Sequence, residues 1–429
     1  MDATTGSVTS EVGRLRSVLL HRPGEEVRRL TPSNMGEYLF DDLLWLARAQ
    51  EEHDAFAEVL CSRGVEVHHV RDLLLARLRA QGPAGDADRA AVIEAVARHR
   101  DDPTGALVRA VAAELTPEGL ADLALAGATA AELRALAPEV GVPDANAHCL
   151  SIAMAEPGDM VVPPTPNLLF TRDPAIRVHD RVYLGAMHSR VRRREPTLMG
   201  LGLREGAVAP ASAHPATTSG GTVEGGDVLV VSPDCLVIGL SERTDAVGIT
   251  QLAAAVFAQT PVARIEVVHL PKQRALMHLD TAVTMVDQRS FVAFAGLGEL
   301  TSVTVTPAPD ADLRPGNGVA ALDVERHEPA PIGTILQRAL GADGPAVRII
   351  TADQDAPAAE REQWEDGCNL LALAPGVVVA YERNVVTNTH LRELGIEVLE
   401  IPGGELGRGR GGPRCMSNPV DRSPLGHSA

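Results

Sequence analysis

One cysteine stands in a setting suited to nucleophilic chemistry: Gly407-Arg408-Gly409-Arg410-Gly411-Gly412-Pro413-Arg414-Cys415-Met416-Ser417. The glycines would let the backbone close over a substrate, and the nearby guanidinium groups would favour the thiolate, the nucleophilic form. No Gly-Lys-Ser/Thr follows, so a phosphate-cradling loop is excluded. Cys61, Cys149, Cys235 and Cys368 have apolar or ordinary neighbours and are expected to pack in the core. Far upstream stand His278-Leu279-Asp280, Glu224-Gly225-Gly226-Asp227, Thr171-Arg172-Asp173 and Asp366-Gly367-Cys368-Asn369. His278 and Asp280 are two apart, so at the start of a strand both would share a face. Taken singly, each has an ordinary alternative. Asp173 could cap a turn, Glu224 could sit in Gly-Gly turn chemistry, and His278, next to Met277, could be a satisfied core group. No second His or Cys lies at ligand spacing, so no metal is expected. A thiol, an imidazole able to exchange protons near neutral pH and several carboxylates together suit attack on a planar, cationic carbon. A guanidinium fits, because carboxylates accept its N–H groups in pairs while the thiol attacks.

Such a constellation needs elements that bring distant segments together. Two short β-type runs joined by a turn occur at 175–178 with 182–185, 228–231 with 236–239, 282–286 with 291–294, and 370–374 with 377–381. After the second and fourth pairs come a helical stretch and a further strand, 265–271 and 396–402. Joining the chain ends completes a fifth unit, with strand material at 16–23, a helix at 43–63 and a closing strand at 65–70. Self-similar α/β units that cannot bury their faces alone are expected to pack around an axis. The four polar segments precede the hairpins at equivalent places and would converge on one central pocket. Residues 72–137 have a different texture, rich in Ala, Leu and Arg. Thr116-Pro117 marks one helix start and the Thr129/Glu132 capping box another. The expected organisation is a catalytic domain of residues 1–71 and 138–429, with 72–137 inserted as an all-helical bundle.

Composition narrows the function classes. The 429 residues are 45% hydrophobic, enough for a sizeable core. A net charge of −18 argues against nucleic acid as a partner, because phosphate binding needs clustered Lys and Arg. Five scattered cysteines lack disulfide or zinc spacing and are expected to be reduced. Residues 1–14 lack a basic start followed by an apolar run, and no stretch of about 18 apolar residues occurs. The expectation is a cytoplasmic protein with no membrane partner.

At these residues the chain resembles the arginine deiminase family, over nearly its whole length. The resemblance rests on residues 10–15 with 18–24, 39–42 and 48–56, and most specifically on 167–173, 224–227, 271–273 with 277–281, and 405–415. It implies a five-bladed α/β propeller shared by guanidine-modifying enzymes, with a helical insertion matching 72–137. Relatives that act on dimethylarginine or agmatine, or as amidinotransferases, generally lack that insertion. It also implies hydrolysis of free L-arginine to citrulline and ammonia without metal or cofactor, and family members often form homo-oligomers. Carried over residue by residue, Cys415 corresponds to the nucleophile, His278 to the general acid/base and Glu224 to the carboxylate that hydrogen-bonds it. Asp173 and Asp280 correspond to the guanidinium clamp, and Arg192, Arg243 and Asn167 to the holders of the α-carboxylate. Asp227, Asn369 and residues 40–43 match other pocket positions, and Arg410 falls at a gating position.

The loop departs from the family pattern. Pro413-Arg414 stands where many members have Gly-His, and Asn418 replaces a common Cys. Loop closure and thiol acidity are therefore expected to differ. Two rival readings remain: a deiminase or amidinotransferase for a modified arginine, and a silent guanidinium-binding protein of the same fold. Retention of the nucleophile speaks against the silent one.

Overall fold

All four hairpins form, and each gains a third strand parallel to its second. Ala175–Val178 pairs antiparallel with Arg181–Leu184, which Ser212–Pro215 joins in parallel. The same pattern links Val228–Ser232, Cys235–Leu240 and Arg264–His269. It recurs in Val283–Asp287, Ser290–Ala293 and Arg348–Ile350, and in Leu371–Ala374, Val377–Tyr381 and Glu397–Ile401. The chain ends supply the fifth unit: Asn418–Arg422 lies antiparallel to Leu15–Leu20, and Glu66–His69 runs parallel to it. The computed structural model describes residues 6–426 apart from 99–102, 140, 142–148, 205–207, 211, 219, 310–321 and 353.

A parallel strand needs a crossover, and a helix supplies one in every unit. These are Glu195–Gly202, Ala246–Gln259, Ile332–Ala339, Val385–Glu393 and Leu46–Ser62. The first and third crossovers were not legible in the sequence. In the third, an added hairpin, Glu299–Pro307 with Leu322–Pro331, precedes the helix and pairs with Arg264–His269, making a five-stranded sheet. The architecture is α/β, with mixed sheets and helices.

The block around residues 72–137 is helical: Val70–Arg79, Pro83–Ala97, Pro103–Glu114, Pro117–Ala126 and Ala130–Glu139. Thr116 accepts a hydrogen bond from Gly119 N, and Thr129 and Glu132 bond each other's backbone N–H at 2.9 and 3.2 Å, a reciprocal capping box. The apolar faces bury Leu74, Val92, Val96, Leu120 and Leu133 in one core cluster that also holds Leu198 and Met199 of the Glu195–Gly202 helix. Buried Asp88 adds a polar tie, accepting from Arg77 Nε at 2.7 Å and from Arg204 Nη1 at 2.8 Å.

Candidate active site

The polar segments singled out in the sequence lie where a unit's first strand begins. Asp173 precedes Ala175–Val178, and Glu224 precedes the short 3-10 turn Gly225–Asp227 leading into Val228–Ser232. Asn369 precedes Leu371–Ala374, and Cys415 precedes Asn418–Arg422. His278 and Asp280 do not open a strand, as spacing suggested. His278 is extended at the edge of a 3-10 turn, Leu279–Thr281, and the strand starts at Val283. Among the bonds that hold that turn, Leu279 N donates to Asp227 Oδ1 at 2.8 Å, and Thr281 Oγ1 to the His278 carbonyl at 2.7 Å. Asp227 also accepts from Ser241 Oγ at 2.7 Å, so it braces the turn that carries His278.

His278 sits between two carboxylates, with Nε2 2.8 Å from Glu224 Oε2 and Nδ1 3.8 Å from Asp173 Oδ1. Burial disfavours the imidazolium, but Asp173, Glu224 and Asp227 outweigh it and raise His278 to about 9. Burial likewise opposes ionisation of Glu224, yet His278, Arg192 and Arg243 hold it down near 2. The imidazole can approach this closely because residue 226 is glycine. A Cβ there would lie 2.7 Å from His278 Nδ1 and 2.9 Å from Asp173 Oδ1. Asp173, Glu224 and His278 each offer a ligand atom within 4.8 Å of the others, a grouping that could hold a cation.

Cys415 is 3% exposed, and its Sγ lies 3.4 Å from Asp280 Oδ2 and 3.1 Å from Asn369 Nδ2. Asn369 Oδ1 accepts from Cys415 N at 3.0 Å, so this amide holds Cys415 by both backbone and side chain. The arginine-rich loop does not favour the thiolate as expected. Arg408 pairs with Asp42, Arg410 lies over the Trp364 ring at 3.5 Å, and Arg414 pairs with Glu11 and Asp280. Burial and the carboxylates of Asp280, Asp173 and Asp366 push the thiol well above its ordinary range, and Arg414 offsets only part of this. This field favours the neutral thiol. A raised value means that thiolate accumulates only as pH rises into the alkaline range. With exposed Cys61 replaced by serine, iodoacetamide labelling of the Cys415 peptide is expected to keep accelerating above about pH 9. A plateau near neutrality, read by mass spectrometry, would mean the thiolate is stabilised at rest.

Of the expected α-carboxylate holders, buried Arg192 donates to Asp173 Oδ2 at 2.7 Å, to Glu195 Oε2 at 2.8 Å and to the Asn167 carbonyl at 3.2 Å. Asn167 in turn donates to the Tyr38 carbonyl at 2.7 Å. Arg243 is also buried, but its charged contact is with its neighbour Glu242, at 3.2 Å. Arg410 adopts a left-handed backbone at φ 65° and donates to the Trp364 carbonyl. Glu11, Glu195 and Trp364 were not singled out as site residues. Glu195 stands three residues after Arg192, a spacing that could have revealed it. Trp364 left no such trace. Cys149, Cys235 and Cys368 are buried as expected, whereas Cys61 is exposed near the end of its helix.

In fold the chain is similar to a dimethylarginine dimethylaminohydrolase from Pseudomonas aeruginosa complexed with citrulline, at TM-score 0.52 and 16% identity, covering 96% of this chain and 100% of that one. It is equally similar to an amidinotransferase from Microseira wollei, at TM-score 0.53 and 12% identity over 98% of each chain. The α/β fold is therefore that of the dimethylaminohydrolase and amidinotransferase class. A profile of the family described as Arginine deiminase matches residues 36–422. The arginine deiminase of Mycobacterium tuberculosis H37Rv is 43% identical over 417 residues, 97% of this chain and 98% of that one. That of Rhodococcus erythropolis is 42% identical over 424 residues, at the same coverage. This chain belongs to the arginine deiminase family, hydrolases acting on amidine C–N bonds. Among the described residues, no helix is long and apolar enough to cross a membrane.

Proposed function

We propose that this protein hydrolyses free L-arginine to L-citrulline and ammonia through a covalent intermediate on Cys415. The observation that carries this reading is a buried thiol bonded to Asp280 and a buried imidazole set between Glu224 and Asp173, both within the electrostatic field of Asp173. The substrate guanidinium would lie between Asp173 and Asp280, and its positive charge would offset the carboxylate field that keeps Cys415 protonated. The thiol proton passes to a neighbouring carboxylate as sulfur bonds to the guanidinium carbon. His278, held as the imidazolium, protonates the departing nitrogen as its C–N bond breaks, and ammonia leaves a thiouronium. The now neutral His278 takes a proton from water attacking the same carbon. Cleavage of the C–S bond then releases citrulline as its hydroxyl proton passes to solvent, and the thiolate takes back the proton held by the carboxyl, which restores the thiol. Dividing one difficult hydrolysis into two displacements is the advantage of covalent catalysis.

Arg243, Arg192 and Asn167 hold the α-carboxylate in this reading. Arg192 would do so by exchanging a contact with Asp173 or Glu195, while Arg243 has, among the described residues, only its neighbour Glu242 to leave. Asn369 and Asp227 fix the nucleophile and the His278 turn, and Arg410 with Trp364 forms part of the gate. The repetition of one strand order in five units supports their placement as blades around one axis. The helices of residues 72–137 form the inserted domain, and the enzyme works in the cytoplasm.

Incubating the pure protein with L-arginine and assaying both ammonia and citrulline tests the reaction. Binding without turnover would favour a silent guanidinium-binding protein, and no binding would favour another guanidine. The mechanism uses no metal. Treatment with a chelator is expected to leave turnover unchanged, although Asp173, Glu224 and His278 could group around a cation. Loss of activity that zinc restores would overturn the cysteine mechanism.

A further inference from the structure

Arg414 stands next to the nucleophile, and its guanidinium is buried, with 2% of the residue exposed. A buried guanidinium is tolerated only when its N–H donors and its charge are matched. Nε and Nη2 fork onto the Glu11 carboxylate at 3.2 and 3.1 Å, and Nη2 also donates to the Val228 carbonyl at 2.9 Å. Nη1 donates to Asp280 Oδ2 at 2.7 Å. Glu11 is fixed in turn, because its N donates to the Val230 carbonyl at 2.8 Å and its Oε1 accepts from Val230 N at 3.2 Å. The fork is thus anchored to a strand and reaches across to the turn that bears Asp280.

The two oxygens of Asp280 then differ. Oδ2 receives Arg414 and the Cys415 thiol, whereas Oδ1 is buried and has no hydrogen-bond partner among the described residues. An acceptor held in that condition is worth forming a bond to, since an unmade buried bond is costly. We propose that Arg414, anchored by Glu11, is a positioning residue that turns Asp280 so that Oδ1 receives the substrate guanidinium. Arg414 occupies one edge of the carboxylate and leaves the other to the ligand. This rests on the proposed reaction with L-arginine. The charged and titratable groups facing Arg414 are Glu11, Asp280, Arg172, Arg422 and Cys415.

Arg414→Lys keeps the charge but loses the planar fork, so it cannot grip Glu11 and reach Asp280 together. Its KM for L-arginine is expected to rise at least about tenfold, with kcat per active site, counted by acid-quenched adduct, changing less. Arg414→His would restore the contact only while the imidazole is charged. Its KM is therefore expected to climb as pH rises through the imidazole's titration, a limb that the native arginine lacks. Should either protein fail to fold, Glu11→Gln loosens the anchor while keeping the side chain's shape, and the same rise in KM is expected. A purely structural role would lower the folded fraction and the melting temperature while leaving KM per active site unchanged, and that result would overturn the proposal. If the native protein does not turn over L-arginine at all, the reaction assignment fails instead.

Discussion

Cys415→Ala is expected to abolish turnover of L-arginine, lowering kcat by at least about 10⁴-fold, because no other group can form the covalent bond to the guanidinium carbon. The fold should survive. The substitution removes one sulfur atom, leaving only a small cavity. Asn369 keeps its bonds to Cys415 N and to the Asp280 carbonyl through groups that alanine does not alter. Circular dichroism and thermal melting close to those of the native protein would show this. Acid-quenched native protein should carry a mass adduct on the peptide containing Cys415. Cys235 and Cys368 are buried thiols pushed up to about 12 by burial, and an adduct on either would end the assignment.

The second large effect concerns selection of arginine over agmatine, which differ only by the α-carboxylate. Arg243 is buried beside Ser241, whose Oγ accepts its backbone N–H at 2.9 Å, and its charge helps hold Glu224 ionised. With the half-exposed Glu242 as its one ionic partner among the described residues, Arg243 is placed to take a second anion. Truncating a desolvated Arg–carboxylate contact typically costs about 2–5 kcal/mol, roughly 30-fold to several thousand-fold in affinity. Arg243→Ala is therefore expected to lower kcat/KM for L-arginine by at least about an order of magnitude. Any reaction with agmatine should stay nearly constant. Equal losses on both substrates would mean that Arg243 supports the His278–Glu224 pair or the loop, and would sink this account of selection.

The local parts of the architecture were legible in the residues. Alternating runs and turn residues located four hairpins, and the Ser241–Thr244 and Tyr381–Asn384 similarity located the helix and strand that follow two of them. Thr116 and the Thr129/Glu132 pair marked helix starts that the structure contains, since a cap depends on residues three or four apart. The crossovers of the first and third units were hidden. Long intervening segments separate their strands, and the inserted hairpin pairs with a neighbouring unit that local pattern does not specify.

For the site, residue type marked Asp173, Glu224, His278, Asp280, Asn369 and Cys415, and the folded chain places the first three together and Cys415 against Asp280 and Asn369. Their states depended on partners remote in the chain. Arg414 finds Glu11 403 residues away, and Cys415 finds Asp280 135 residues away. The sequence by itself determined the set of chemical groups, the order of the units and the helix caps, all properties of residues near one another. Only the tertiary structure decided that the loop arginines are matched by carboxylates and that burial and nearby carboxylates push the thiol upward. A group's charge state follows from burial and from the summed field of every charge around it, and that field exists only once the chain has folded.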